Sequence, residues 1–271
     1  MINTLIQPPP PARRLLWFLA LILLPAVSPV RLGAQPSATQ AAILLSQSLA
    51  ALTHGTVVTD AKLQANVNYI AGSDEESGPA TLEALGHLES LVVLNLSGGQ
   101  RQQIQNGSQA AVTGIDGQQQ LAPLHNSLNP AAWFFPALLI EGLIQDASYS
   151  VTYVGAENLN GASVQHLRAL RTLPGHGDAA TMSLLLELTG FDLYLDSGAF
   201  LPVALAFNTH PANNALQDVP IGVELSGYQA QGGVMTPSHV QKFLQRSLLL
   251  DISVTSVAID SGLPPSDFQI Q

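Results

Sequence analysis

The C-terminal third of the chain alternates apolar and polar residues in consecutive short runs. Turn residues separate these runs, including Asp196-Ser197-Gly198 and Gly232-Gly233. A period of two residues places successive side chains on opposite faces of a strand, and glycine-rich breaks are typical of hairpins. Residues 191–268 therefore predict five consecutive antiparallel strands. In the last one, one face carries Leu248, Leu250, Ile252 and Val254.

The first half shows the same pattern. Leu63, Ala65, Val67 and Tyr69 alternate with polar residues, which is typical of a strand that is buried on one face. Asn106-Gly107 and Asp116-Gly117 are strong signals for two-residue hairpin turns. Residues 56–121 thus predict a first meander, and two further strands are expected at residues 150–154 and 162–170.

Three segments favour helices instead. A short amphipathic helix is expected at residues 41–52, and Asp178 is positioned to cap another at residues 179–188. The third runs from Asn129 to Gln145, with Asn129 as N-cap, Pro130 in the first turn and a bend or interruption at Pro136. Residues 131–140 carry no charge, so this helix is apolar on all sides. It is either a core helix or a lid over an apolar cavity.

These elements predict an α+β domain over residues 35–271. A strongly curved antiparallel sheet, a half-barrel of about ten or eleven strands, would hold two or three short helices on its concave side. Such helices cover the apolar face that a single sheet otherwise exposes to water.

The N-terminus has the pattern of a secretory signal peptide. Arg13 and Arg14 precede the apolar run of residues 15–24, and Gly33-Ala34 supplies small residues for cleavage. We therefore expect residues 1–34 to be removed, which leaves an exported protein, periplasmic or secreted, with no stable membrane span. An uncleaved anchor is the alternative, but the run is short and is followed by Pro25.

Charge and cysteine content exclude several classes of function. The chain from residue 35 onward has six Lys and Arg against nineteen Asp and Glu, a net charge of −13. Such a surface repels phosphate backbones and anionic headgroups, so no nucleic-acid partner is expected. The absence of cysteine excludes disulfides, thiolate metal sites and a thiol nucleophile.

The order of elements and the C-terminal pattern resemble the periplasmic lipoprotein-carrier superfamily, which is LolA-like and includes outer-membrane lipoprotein-sorting proteins. The pattern comprises Tyr228, Gly232-Gly233, Pro237, Val240, residues 248–257, Ile259 and Phe268. The resemblance implies an unclosed sheet plugged by helices, with an apolar cavity between them. The chain departs from that family in its first half, where no arginine matches the one with which lipoprotein carriers lock their lid.

Recognisable catalytic motifs are absent from the sequence. It contains no Gly-x-Ser-x-Gly elbow, no His-Glu-x-x-His and no phosphate-binding loop, and its seven histidines are scattered singly. The cluster of residues 175–178 contains His176 beside the predicted cap Asp178. We predict no enzyme activity, no metal and no cofactor.

The sequence therefore predicts a non-enzymatic carrier or sensor of an apolar ligand, such as a lipid or acyl chain. The expected ligand-binding residues are Trp133, Phe134, Leu138 and Leu139. His166 and Arg168 share a strand face with Val164 and Leu170, which would point them into the cavity as candidates for holding a carboxylate or headgroup. Two alternatives stay open. One is an interaction module whose apolar helix docks on an envelope protein, and the other is a hydrolase with an unrecognised site.

Overall fold

The computed structural model describes residues 37–173 and 178–271. The expected signal peptide and the His176 cluster upstream of Asp178 lie outside these residues. Thirteen strands form one sheet, and β12 and β13 form a separate hairpin. The strands are β1 (Asp60–Ala71), β2 (Asp74–Leu85), β3 (Glu89–Leu96), β4 (Gly99–Asn106), β5 (Gln109–Thr113), β6 (Gln119–Leu121), β7 (Tyr149–Leu159), β8 (Ala162–Arg171), β9 (Phe191–Asp196), β10 (Pro202–Thr209), β11 (Val219–Ser226), β12 (Gln229–Gln231), β13 (Val234–Thr236), β14 (His239–Leu244) and β15 (Ser247–Ile259). The helices are α1 (Ser37–Thr53), α2 (Leu124–Ser127), α3 (Pro136–Gln145) and α4 (Ala179–Leu188), and a 3₁₀ turn follows at Pro265–Phe268.

The sheet has the order β6-β5-β4-β3-β2-β1-β15-β14-β11-β10-β9-β8-β7, and neighbouring strands are antiparallel. The chain runs outward from β1 to the edge strand β6, crosses to the opposite edge at β7, and returns inward until β15 pairs with β1. The sheet is curved and is not closed, which confirms the α+β half-barrel. Its thirteen strands exceed the ten or eleven expected, since strands such as β6, with three residues, carry too little alternation to be recognised.

The apolar face of the sheet forms one core with α1 and α3. Leu63 and Val67 of β1 and Leu250 and Ile252 of β15 are buried in this core, and Leu44 and Leu52 of α1 join them. Ser253, one residue beyond Ile252, is exposed. The inward positions predicted for Leu250 and Ile252 are thus confirmed. The sheet buries alternate residues because its other face meets solvent.

The helix expected from Asn129 begins later in the structure. Residues 131–134 form turns, and α3 starts at Pro136. Proline disfavours helical backbone in the residue before it, and Phe135 is accordingly non-helical, with φ of −130° and ψ of 86°. The side-chain amide of Gln105 donates to the carbonyls of Ser127 (3.1 Å) and Asn129 (2.7 Å), which ties this region to β4. The prediction of Asn129 as an N-cap was therefore wrong.

The other helices follow the expected pattern more closely. The Asp178 carboxylate accepts a hydrogen bond of 2.9 Å from the backbone N–H of Thr181, so its predicted capping role is confirmed. This bond holds the pKa of Asp178 below its usual range. Leu185 and Leu188 of α4 pack in a second apolar cluster with Leu128 and Leu173. The structure thus has four α-helices among its described residues rather than two or three, because α2 has only four residues.

Two glycines mark places where backbone or helix comes close to a neighbour. A Cβ at Gly78 would overlap the carbonyl oxygen of Asn95, where β2 passes the end of β3. A Cβ at Gly142 would overlap the ring of His87, so α3 can lie close to the β2–β3 turn.

Among residues 37–173 and 178–271, no helix has the length and apolar character needed to cross a bilayer.

Candidate functional site

The segment of residues 131–135 and helix α3 lie against the apolar face of the sheet. All four apolar residues predicted from this region are buried, with Trp133 exposed by 4%, Leu138 by 2%, Leu139 by 1% and Phe134 not at all. The rings of Trp133 and Phe134 meet edge to face, with centroids 5.4 Å apart. This arrangement makes the segment part of the core and places the indole at its margin.

A cavity of about 330 Å³ lies beside Trp133 and is called the Trp133 cavity below. Its wall is mostly apolar and is contributed by strands far apart in the sequence. The lining residues are Tyr69, Val92, Leu94, Arg101, Gln102, Gln103, Val112, Thr113, Gly114, Trp133, Lys242, Leu249 and Leu250. Small-molecule sites have volumes of about 300–1,000 Å³, so the Trp133 cavity is of suitable size for a small apolar ligand.

Lys242 is a cation on the inward face of β14. It lies two residues after the fully buried Val240, and strand alternation therefore turns both side chains towards the core. Its ammonium nitrogen lies 4.5 Å from the centroid of the Trp133 ring, which is cation–π geometry. Burial lowers the pKa of Lys242 to about 8. Among the described residues, no carboxylate lies within 4 Å of this amine.

Arg101 also borders the Trp133 cavity, but its guanidinium is occupied. Nη1 and Nη2 donate to the two carboxylate oxygens of Glu76, at 3.0 and 2.6 Å. The guanidinium carbon also lies 4.9 Å from the centroid of the Tyr69 ring. These bonds lower the pKa of Glu76, so both partners stay ionised. Each partner meets the charge and the hydrogen-bonding capacity of the other. Lys242 is therefore the cation of this cavity that no carboxylate neutralises within the described chain.

Leu138 borders a different, more open groove of about 640 Å³ between α3 and the β2–β3 turn. His87 and Glu89 line the same groove. The His87 imidazole lies 3.1 Å from the Asp146 carboxylate, and burial raises the pKa of Glu89. Phe134 and Leu139 line neither this groove nor the Trp133 cavity. Of the four predicted apolar residues, Trp133 is thus the one that lines the smaller cavity.

His166 and Arg168 do not point into the cavity, and that interpretation of their position was wrong. Leu167 and Ala169 of the same strand are buried in the core, which places His166 and Arg168 on the outer face. There the Asp192 carboxylate lies 2.8 Å from His166 and 2.6 Å from Arg168. The inner and outer faces of β8 were assigned the wrong way round because Val164, which lies on the same outer face as His166 and Arg168, is also fully buried. Ligand binding by this ion-pair cluster stays an untested prediction.

No protein-family model and no curated protein sequence matches this chain. Solved structures do match it. A domain from Vibrio parahaemolyticus named for outer-membrane lipoprotein sorting superposes with a TM-score of 0.53 at 12% identity, covering 86% of this chain and 97% of that one. A LolA superfamily protein from Nitrosomonas europaea gives the same TM-score and identity, with 85% and 97% covered. The fold is LolA-like.

A protein of the DUF1329 family from Desulfovibrio piger shares this LolA-like fold, with a TM-score of 0.53 at 12% identity over 86% of this chain and 98% of that one. At such identity the likeness concerns the backbone architecture alone. It confirms the resemblance predicted from the order of elements.

Among the described residues, no group of three or more His, Asp or Glu is arranged to hold a metal ion.

The sequence interpretation missed the polar residues of the Trp133 cavity, above all Lys242. A usable signal was present, because Lys242 is in phase with Val240 in a strand of the LolA-like sheet. A cation at an inward strand position is unusual unless it has a partner or a function. Arg101 lies in the first half of the chain, where the sequence shows no match to the lid-locking arginine of lipoprotein carriers. Within the described chain, its side chain donates no hydrogen bond to residues 131–135.

Proposed function

We propose that the protein is an exported, non-enzymatic carrier or sensor that binds a lipid or acyl chain in the Trp133 cavity. The observation that carries this proposal is the mostly apolar cavity of about 330 Å³ between the sheet and the 131–135 segment. Export is supported by the signal-peptide pattern of residues 1–34. The likeness to a domain named for outer-membrane lipoprotein sorting and to a LolA superfamily protein supports a carrier role.

The size of the cavity favours one alkyl chain over several. Its volume lies at the lower end of the range of small-molecule sites, which is about 300–1,000 Å³. Each Å² of apolar surface removed from water contributes about 25 cal/mol, from which the costs of ordering the ligand are subtracted. The apolar lining and the volume therefore favour a single alkyl chain as the ligand. A lipid with two or three chains would have to open the 131–135 segment.

The burial of the apolar side chains of the 131–135 segment and of α3 weakens the support for the interaction-module alternative. That alternative requires an apolar surface exposed for a partner protein, whereas Phe134, Leu138 and Leu139 are enclosed by this chain itself. The hydrolase alternative has one arrangement in its favour, because Ser226 Oγ lies 3.4 Å from His239 Nδ1 and Asp251 Oδ1 lies 2.5 Å from His239 Nε2. None of these three residues lines the Trp133 cavity or the groove beside Leu138, so neither of those spaces would hold a substrate against them.

Fluorescence of Trp133 tests the proposal. Removal of residues 1–34 takes away Trp17, so Trp133 is then the sole tryptophan. Delipidated protein is titrated with lauric acid or palmitic acid below the micelle concentration. We expect the emission to shift to the blue and to saturate, because a chain in the cavity displaces water from beside the indole. The Trp133→Phe variant serves as the control and should show no such signal. Constant emission together with a constant melting temperature across both acids would reject the cavity as a ligand site.

A further inference from the structure

A carrier of purely apolar ligands does not require a cation in its cavity, yet Lys242 lies there. Its amine faces the Trp133 ring, and the neighbouring Arg101 is already bound to Glu76. Lys242 is half-buried, and an amine partly withdrawn from water with no carboxylate partner is unfavourable unless something stabilises its charge. The ring supplies part of that stabilisation. Within residues 37–173 and 178–271 the ammonium group donates no hydrogen bond, so its three donors can serve an acceptor in the cavity.

The negative overall charge of the protein bears on the role of the Lys242 cation. The chain from residue 35 carries a net charge of −13, which repels anions at long range. A local positive charge offsets this field and so favours an anionic group on the concave side of the sheet. Glu76 adds no free negative charge to the cavity, because Arg101 neutralises it at 2.6 and 3.0 Å. Lys242 therefore gives the cavity a local preference for an anion.

We propose that Lys242 binds the anionic headgroup of a single-chain amphiphile whose alkyl chain occupies the Trp133 cavity. This inference rests on the proposed function and specifies its ligand class. A fatty-acid carboxylate and the phosphate of a single-chain phospholipid share the required chemistry, which is an oxyanion at the end of one chain. Either accepts charge-assisted hydrogen bonds from the amine while the indole covers the opposite side.

The pH dependence of binding follows from the groups around Lys242. The titratable or charged groups lining the cavity are Tyr69 of β1, Arg101 of β4 with its partner Glu76, and Lys242 itself. The pKa of Lys242 is lowered to about 8 by burial, so the amine loses its proton as the pH rises through this value. Affinity for the anion should decrease over the same interval. Affinity for an uncharged chain should stay constant.

The test compares three ligands that differ in their headgroup. Laurate, dodecyl phosphate and the uncharged dodecanol are titrated into delipidated protein at pH 7, with Trp133 emission as the readout. Lys242→Met keeps the length of the side chain and removes its charge, and Arg246→Met removes one exposed charge elsewhere. We expect Lys242→Met to weaken laurate or dodecyl phosphate by about tenfold and to leave dodecanol unchanged. Arg246→Met should change none of the three affinities.

The outcomes separate the two proposals. If Lys242→Met binds both anions as tightly as the parent protein, the headgroup role is overturned while the cavity role stands. The same holds if the parent protein does not prefer either anion to dodecanol. If the parent protein binds none of the three ligands, the proposed function itself fails. Bound dodecanol in the variant also shows that the variant is folded. The tighter of the two anions identifies the headgroup, and inorganic phosphate alone should not compete.

Discussion

Replacing Ile252 by aspartate should reduce the free energy of unfolding by about 4 kcal/mol or more. Ile252 is fully buried near the middle of β15, which pairs with both β1 and β14. The carboxylate would lie among apolar side chains and would have to be protonated or to pull water into the core. Losses of this size are exceptional for single substitutions and are diagnostic of a buried unpaired charge.

The adjacent position supplies the matched control. Ser253 lies on the opposite face of the same strand and is exposed, so Ser253→Asp should cost less than about 1 kcal/mol. Urea denaturation of both variants measures the difference through their midpoints. Equal midpoints would show that the register of β15, and with it the assignment of the concave face, is incorrect.

Truncating Phe134 to alanine should cost about 3–5 kcal/mol of stability. Phe134 is completely buried, packs edge to face on Trp133 and lines neither of the two cavities near it. Its removal leaves a void in the core that the surrounding sheet fills only in part. Ile144→Ala in α3 is the control, since Ile144 is 44% exposed and its truncation should cost much less.

The Phe134→Ala variant tests whether the 131–135 segment is packed tightly on the sheet. A loss below about 1 kcal/mol for Phe134→Ala, measured by urea denaturation, would mean that the segment is only loosely packed on the sheet. The segment would then be a surface flap instead of a fixed wall. The wall assigned to the Trp133 cavity would have to be revised.

Local patterns were sufficient to predict the strands and their buried faces. Leu250 and Ile252 were placed correctly because alternation over a long strand specifies which face is buried, and Asp178 because a cap depends on neighbouring residues only. The start of α3 was missed because Asn129-Pro130 and Pro136 are competing start signals within seven residues. Tertiary bonds from Gln105 accompany the later start.

The candidate site depended on information that no local pattern contains. The Trp133 cavity joins residues from β1, β3, β4, β5, β14 and β15, and the pairing of β1 with β15 brings the two ends of the domain together. His166 and Arg168 were misplaced because the buried Val164 lies on the outer face, and a bulge in β7 at residues 153–155 shifts the neighbouring register. The inward phase of Lys242 with Val240 was visible in the sequence, whereas its contact with Trp133 arises only in the folded sheet.

Native mass spectrometry of the protein isolated from its own envelope tests the central claim most directly. The claim is that the Trp133 cavity holds one chain whose anionic headgroup contacts Lys242. We expect the mass of the processed protein plus one single-chain anionic amphiphile, and a smaller fraction of Lys242→Met protein, prepared in the same way, should carry that added mass. The mass of the processed protein alone, found repeatedly under conditions that preserve non-covalent complexes, would contradict the account.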